Sequence, residues 1–280
     1  MRTTLVGGLI EVAARNRSRQ TGSMRLFETG LRFLPVGPGQ APGALDPWLD
    51  ATLGDDVQLG PELVQQGVLA GLVAGRRAPE SWNASDEPAG FFDVKADVDA
   101  LFALADAEAI EVEAGGPPLL HPGRAAALSA GGRPVGWLGA LSPALERAAG
   151  LEGGAVVFEI ALGALARSRV PVSRAPSRFP RVRRDLAIVV DAGVSHARIL
   201  ATVRRAAPET LVDVVTFDVY SGESTGAGRR SLALGLVLQD DARTLEDRAV
   251  DAAVARIVEA LAADCGAVPR GAQTGAAGAG

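Results

Sequence analysis

Apolar and polar positions are patterned most clearly between Asp185 and Ala262. Residues Leu211 to Tyr220 keep a period of two, which places Val215, Phe217 and Val219 on one face of a strand and Thr216, Asp218 and Tyr220 on the other. In Ser231 to Gln239, Leu232, Leu234, Leu236 and Leu238 share a face, so the leucines mark the core side. Upstream, Leu186, Ile188 and Val190 alternate inward within Asp185 to Asp191. Ser195 is then placed to cap a helix with an inward stripe of Ile199, Leu200 and Val203. Downstream, Thr244 and Asp247 have the spacing of a helix start, and Val250, Val254, Ile257, Val258 and Leu261 recur at helical intervals. A short segment from Ala267 to Pro269 closes the sheet.

The order strand, helix, strand, strand, helix, strand predicts a ferredoxin-like (βαββαβ) domain with both helices on the leucine face and the other face open. Tyr220 stands on that open face, where a nucleobase can stack, and Asp218 and Ser231 are offered beside it.

The N-terminal portion reads as a separate α+β domain with an antiparallel sheet. Thr4 to Arg19 is a helix with Leu5, Leu9, Val12 and Ala13 inward and Arg15, Arg17 and Arg19 outward. Met24 to Phe33 is a strand in which Glu28 shares a face with Leu26, a semi-buried carboxylate that needs a partner. Pro35 to Pro61, rich in Gly, Pro and Asp, reads as a surface excursion. Gly67 to Gly75 is a buried strand, Phe91 to Val94 another that feeds a helix from Ala96 to Ala107, and Ile110 to Ala114 a third. Ala125 to Ala130 and Pro134 to Leu141 form a hairpin through Gly131-Gly132-Arg133. Ser142-Pro143 opens a short helix that Gly150 ends, and Ala155 to Leu162 is the last strand. Phe91, Phe92, Trp137 and Phe158 are assigned to the core, and His121 to a loop-ending hydrogen bond.

With 280 residues, 48% of them hydrophobic, the chain can build two cores. One cysteine, Cys265, and two histidines, His121 and His196, argue against a disulfide, a zinc site or histidine-based catalysis. No apolar run reaches membrane-spanning length and no leader pattern opens the chain, so a cytoplasmic protein is expected. The net charge of −5 argues against gripping nucleic acid by bulk electrostatics. Residues 1–175 carry 15 basic against 20 acidic side chains, and residues 176–280 carry 13 against 13. Contact with RNA must therefore be local. Arg174 to Arg184, Arg204, Arg205, Arg229 and Arg230 either meet phosphates around the open face or are solvated surface arginines.

Four ordered blocks carry a resemblance: Phe179-Pro180-Arg181-Val182-Arg183-Arg184-Asp185-Leu186-Ala187, Phe217-Asp218-Val219-Tyr220-Ser221-Gly222, Arg229-Arg230-Ser231-Leu232-Ala233 and Arg243-Thr244-Leu245. Together they resemble the ferredoxin-fold anticodon-binding domain that ends the β subunit of bacterial phenylalanine-tRNA ligase. That resemblance implies a tRNA-binding site in which Tyr220 stacks an anticodon base and Asp218 and Ser231 meet nucleotide edges, while Arg183 is suited to phosphate.

The first portion resembles the class II synthetase-like module that precedes this domain in the same subunit. The residues are Arg2-Thr3-Thr4-Leu5 with Arg15-Asn16, Leu26-Phe27-Glu28-Thr29-Gly30, Phe91-Phe92-Asp93-Val94-Lys95, His121-Pro122-Gly123-Arg124, Gly136-Trp137-Leu138-Gly139 and Phe158-Glu159. It implies residues 1–165 as a catalytically inactive core and 178–269 as the anticodon-binding domain, while composition makes the Pro- and Arg-bearing 166–177 a linker and the Gly/Ala-rich 270–280 a disordered tail. It also implies an α subunit as partner, in a heterotetramer of two α and two β subunits, phenylalanine tRNA as ligand, and neither membrane nor DNA. ATP and Mg are used by the assembled enzyme, whose chemistry belongs to α. No catalytic residue is assigned here: Arg25 and Glu28 have the wrong spacing for a class II ATP site, Gly139 to Arg147 is broken by Ser142-Pro143, and no P-loop or nucleophile elbow occurs. The chain opens within the family's pattern, so the module that hydrolyses mischarged tyrosine has no counterpart among these residues. A ferredoxin-like small-molecule-sensing regulatory protein, or an independent enzyme on a degenerate synthetase core, are the competing expectations.

Overall fold

A strand apolar on both of its faces must be covered on both, and Ala155–Ala161 is such a strand, apolar at every position but Glu159. In the computed structural model, which describes residues 1–35, 48, 57–58, 63–166, 175–207, 209–222 and 225–270, all seven of its residues are buried. The chain divides into two compact units, Met1–Val172 and Ser173–Gly280.

The first unit comprises α1 (Val6–Arg17), β1 (Ser23–Pro35), β2 (Val57–Gln58), β3 (Leu63–Gly75), α2 (Phe91–Leu104), β4 (Glu111–Ala114), β5 (Leu120–Ala130), β6 (Arg133–Leu141), α3 (Pro143–Ala149), β7 (Ala155–Ala161) and α4 (Leu162–Leu165). Its antiparallel sheet runs β1-β3-β7-β6-β5-β4, with β2 beside β3. The β5–β6 turn uses Gly131 and Gly132 at φ 57° and 73°, the left-handed pair a two-residue hairpin requires. Ser142 caps α3 through the Leu145 N–H, and Gly150 ends it at φ 63°.

Four expectations need correction here. Phe91 to Val94 is not a strand but the first turn of α2, because Asp93 accepts the Gly90 N–H at 2.8 Å and closes the helix start that an apolar run alone conceals. Phe92 consequently points outward and is 80% exposed, whereas Trp137 and Phe158 are core. In α1 the inward stripe is Leu5, Val6, Leu9 and Ala13, and Val12 is 40% exposed. His121 lies inside β5 rather than at the end of a loop, its Nδ1 accepting the Gly123 N–H at 3.0 Å where the register slips between Leu120 and Ala125.

Glu28 finds its partner in Arg2, at 2.7 Å. A deeper carboxylate, Glu159 of β7, is fully buried. Its Oε2 accepts Thr4 Oγ1 (2.7 Å) and the Leu5 N–H (2.9 Å), and Arg32 Nη1 lies 3.6 Å from its other oxygen. Arg32 in turn donates from Nε to Gln66 at 2.7 Å. These polar groups tie the start of α1 to β1, β3 and β7 from inside the core, where a charge persists only with such partners.

The second unit comprises β8 (Val182–Asp191), α5 (His196–Ala206), β9 (Leu211–Tyr220), β10 (Arg229–Leu238), α6 (Asp247–Cys265) and β11 (Val268–Pro269). All pairs of its sheet are antiparallel, in the order β11-β8-β10-β9. Ser195 caps α5 by accepting the Arg198 N–H at 3.2 Å. Helix α6 starts two residues later than Thr244-x-x-Asp247 suggests, with Glu246 as N-cap and no side-chain cap bond. Ile188, Val190, Leu232, Leu234 and Leu236 meet Ile199, Val203, Ile257 and Leu261, so both helices cover the leucine face. Most of the Pro35 to Pro61 excursion, most of the 166–177 segment and residues 271–280 lie outside the described residues.

Candidate nucleic-acid interface

Register decides which side chains of the second sheet stand opposite its helices. Directly paired residues of an antiparallel ladder project on the same side. Leu232, Leu234 and Leu236 pack against the helices with Val214, and by register their β9 partners Val219 and Thr216 project to the same side. The opposite side receives Tyr220 paired with Ser231, Asp218 with Ala233, Val215 with Gly235, and Asp213 with Val237. On β8 the same face continues through Val189, Ala187, Asp185 and Arg183.

Between Thr216 and Asp218 the pairing jumps, so that Phe217 is the extra residue of a β-bulge. Strict alternation therefore fails at this point. Thr216 belongs to the helix side, where its hydroxyl lies 2.7 Å from His196 Nε2 at the start of α5. Val215, Phe217 and Val219, expected in the core, are instead exposed, Phe217 to 51% and Val219 to 56%. Asp218 and Tyr220 keep the open side because the bulge restores the phase behind it.

Of the four residues singled out from the sequence, Tyr220, Asp218 and Arg183 are exposed on this face, with Tyr220 at 43%. Ser231 is paired directly with Tyr220 but is only 4% exposed, so it is not a presented donor. The Tyr220 hydroxyl end lies over Gly222: a Cβ there meets Oη at 2.2 Å. Arg183 reaches across β10, donating from Nε to Asp185 at 2.8 Å and holding its guanidinium carbon 5.2 Å from the centroid of Phe217. Gly235 leaves room for this crossing, since a Cβ at that position meets the guanidinium at 2.8 Å and the arginine would have to shift.

A second arginine, absent from the sequence reading, completes the arrangement. Arg270 follows β11, donates its backbone N–H to Ala187 at 2.8 Å, and places its guanidinium carbon 5.8 Å from the Tyr220 centroid. The neighbouring floor positions Ala187 and Ala233 are small. The signal for Arg270 was its place one residue beyond the expected closing strand; Phe217 had no comparable signal, because a bulge is invisible to period-two patterning.

Other arginines are occupied or face elsewhere. Arg204 and Arg205 lie on α5, on the helix side, where Arg205 pairs with Asp264. Arg184 pairs with Asp247 at 2.8 Å, and Arg230 donates to the Val194 carbonyl at 2.6 Å. Arg229 Nη2 lies 3.5 Å from the Val189 carbonyl. The open face thus sets Tyr220, Phe217 and the arginines Arg183 and Arg270 among the carboxylates Asp185, Asp213 and Asp218, with Arg229, opposite Asp191 in the ladder, on the same side, and is not a uniformly basic patch. Among the described residues, no three His, Cys, Asp or Glu side chains gather as a metal site, and no helix is long and apolar enough to cross a membrane.

Comparison with known proteins is consistent along the chain. Residues 1–162 match the family model of the phenylalanyl tRNA synthetase beta chain CLM domain, and residues 177–270 match that of the ferredoxin-fold anticodon binding domain. A phenylalanine–tRNA ligase beta subunit from Yersinia pestis is 40% identical over 262 residues, covering 93% of this chain and 30% of that protein. The beta subunit from Vibrio cholerae is 39% identical over 271 residues, 96% of this chain and 32% of that protein. That of Thiobacillus denitrificans is 39% identical over 270 residues, 96% and 31% respectively. The chain accordingly spans about 30% of the length of these relatives. With a synthetase β-chain module over its first 162 residues and an anticodon-binding fold over residues 177–270, the chain belongs to the phenylalanyl-tRNA synthetase β-chain family.

Proposed function

We propose that this chain is the tRNA-binding and assembly part of a phenylalanine-tRNA ligase β subunit, a cytoplasmic component of an enzyme whose ATP- and Mg-dependent chemistry is performed by the α subunit. The observation that carries the reading is the uncovered sheet face of the second unit, with Tyr220 exposed beside Asp218 and away from both helices. An unpaired base on an aromatic side chain contributes about 1–3 kcal/mol, independent of net protein charge, which suits a chain of net charge −5. Asp218 accepts from a base edge, and Arg183 turns from Asp185 to a phosphate. Ser231, only 4% exposed, contributes its hydroxyl to a nucleotide only if the side chains around it move aside. Anchoring the anticodon end fixes the distant acceptor end for the α subunit, so the binding energy serves positioning.

The first unit is the assembly module, docking the α subunit in a complex of two α and two β chains. Within it Glu159 is buried with Arg32, and Glu28 pairs with Arg2.

The test is binding of a phenylalanine tRNA transcript to the full chain at fixed salt. Tyr220→Ala is expected to weaken binding by about 5- to 100-fold. Equal affinity of the variant and the parent chain overturns the assignment. Co-purification with a co-expressed α subunit tests the assembly role separately.

A further inference from the structure

Resting on the RNA-binding reading above, we propose that Phe217 is a second base-stacking platform, so that the open face holds two unpaired nucleotides, one on Tyr220 and one on Phe217. The β-bulge turns this large apolar side chain out of the ladder's alternation and leaves it half exposed on the face opposite the helices. Nothing in the packing of the unit requires a phenylalanine there, since the core on the other side is closed by leucines.

The surroundings of the two rings are alike. Each has an arginine guanidinium within 6 Å of its centroid: Arg183 at 5.2 Å from Phe217, and Arg270 at 5.8 Å from Tyr220. Both arginines are exposed and approach from strands on the far side of β10, and Gly235 leaves Arg183 the space to lie across the sheet. A guanidinium resting on a ring shields part of it from water and gives way to a base by turning to the phosphate of the nucleotide it admits, which for Arg183 replaces the pairing with Asp185. Phe217 and Tyr220 are three residues apart, roughly 10 Å along a strand. One base cannot cover both rings, whereas two bases of a single strand can, with Asp218 between them in sequence as an acceptor for either edge. An acidic or apolar peptide fits less well: the face mixes Asp185, Asp213 and Asp218 with the arginines and has no groove of uniform polarity.

The experiment uses the full chain with the phenylalanine tRNA transcript and with hairpins of its anticodon arm carrying one abasic site at each loop position. Dissociation constants are measured at fixed salt for Phe217→Ala, Phe217→Leu and Tyr220→Ala. Phe217→Ala is expected to weaken binding by about 5- to 100-fold, and Phe217→Leu nearly as much, because leucine restores bulk but no π face. One abasic position should abolish the effect of Phe217→Ala, and a different position that of Tyr220→Ala. If Phe217→Ala binds as the parent does while Tyr220→Ala is weakened, the second platform is wrong and the RNA reading stands. If Phe217→Leu restores full affinity, or both variants lose their effect at the same abasic position, the two-platform arrangement is likewise overturned. If the parent chain does not prefer the phenylalanine transcript to an unrelated RNA, the underlying reading falls and the platform with it.

Discussion

Asp93 shows how one side chain can set an element boundary. The backbone N–H of Gly90 and, after it, the guanidinium of Arg77 at 2.9 Å hold its carboxyl below the usual carboxylate range, against the opposing effect of partial burial. A carboxylate whose pKa is lowered on folding stabilises the folded state above its unfolded pKa, and that contribution is lost as pH falls through the lowered value. Asp93→Ala is therefore expected to lower the melting temperature at pH 7 by about 2–4 °C. The gap should close as the pH is taken below the ordinary carboxylate range, read as paired thermal melts across pH 7 to 3; a constant gap rules out the charged cap. At this same scale Tyr220, Asp218 and Arg183 were legible in the sequence, because their positions depend on local alternation and on the phase of neighbouring leucines. The depth of Ser231 was not: exposure depends on what lies over a residue, which strand alternation does not carry.

Among the elements, β9 departs furthest from its pattern and gains the most chemistry by doing so. The bulge moves Thr216 to the helices and Phe217 to the open side, and no residue of the segment announces it, since neither glycine nor proline occurs between Leu211 and Tyr220. Glycines matter instead where strands carry rings across them. On β3, Gly71 pairs with Phe158, and a Cβ at Gly71 meets the Phe158 ring at 2.2 Å. Gly71→Ala is expected to destabilise the first unit by about 1–3 kcal/mol through displacement of that buried ring. A lowered urea midpoint at unchanged slope is the signature; an unaltered midpoint shows that the ring has room to move. The helix starts divide in the same physical way. Ser195 and Ser142 cap with their own hydroxyls and read directly from sequence, whereas α2 begins at a glycine whose partner is three residues inside the helix.

For the whole molecule, the described core residues fall into separate apolar clusters in the two units. One is built on β3, β6, β7 and α1; the others are built on the leucine strand β10 with α5 and α6. Residues 173–280 expressed alone are expected to melt cooperatively and to keep the affinity of the full chain for the tRNA transcript, while Gly71→Ala in the full chain leaves the transition of that unit unmoved. Circular dichroism melts and the binding assay check both; a fragment without a cooperative transition shows that the second unit depends on the first. Two amphipathic helices, a leucine-lined strand and an aromatic on the reverse face were determined by the sequence, because hydrophobic periodicity and capping chemistry act over a few residues. The tertiary structure alone decided that Glu159 is the buried carboxylate, that Phe217 leaves the core, and that Arg183 and Arg270 converge on two rings. Those outcomes rest on strand register and on space left by distant small residues, quantities that arise only when separate strands are brought side by side.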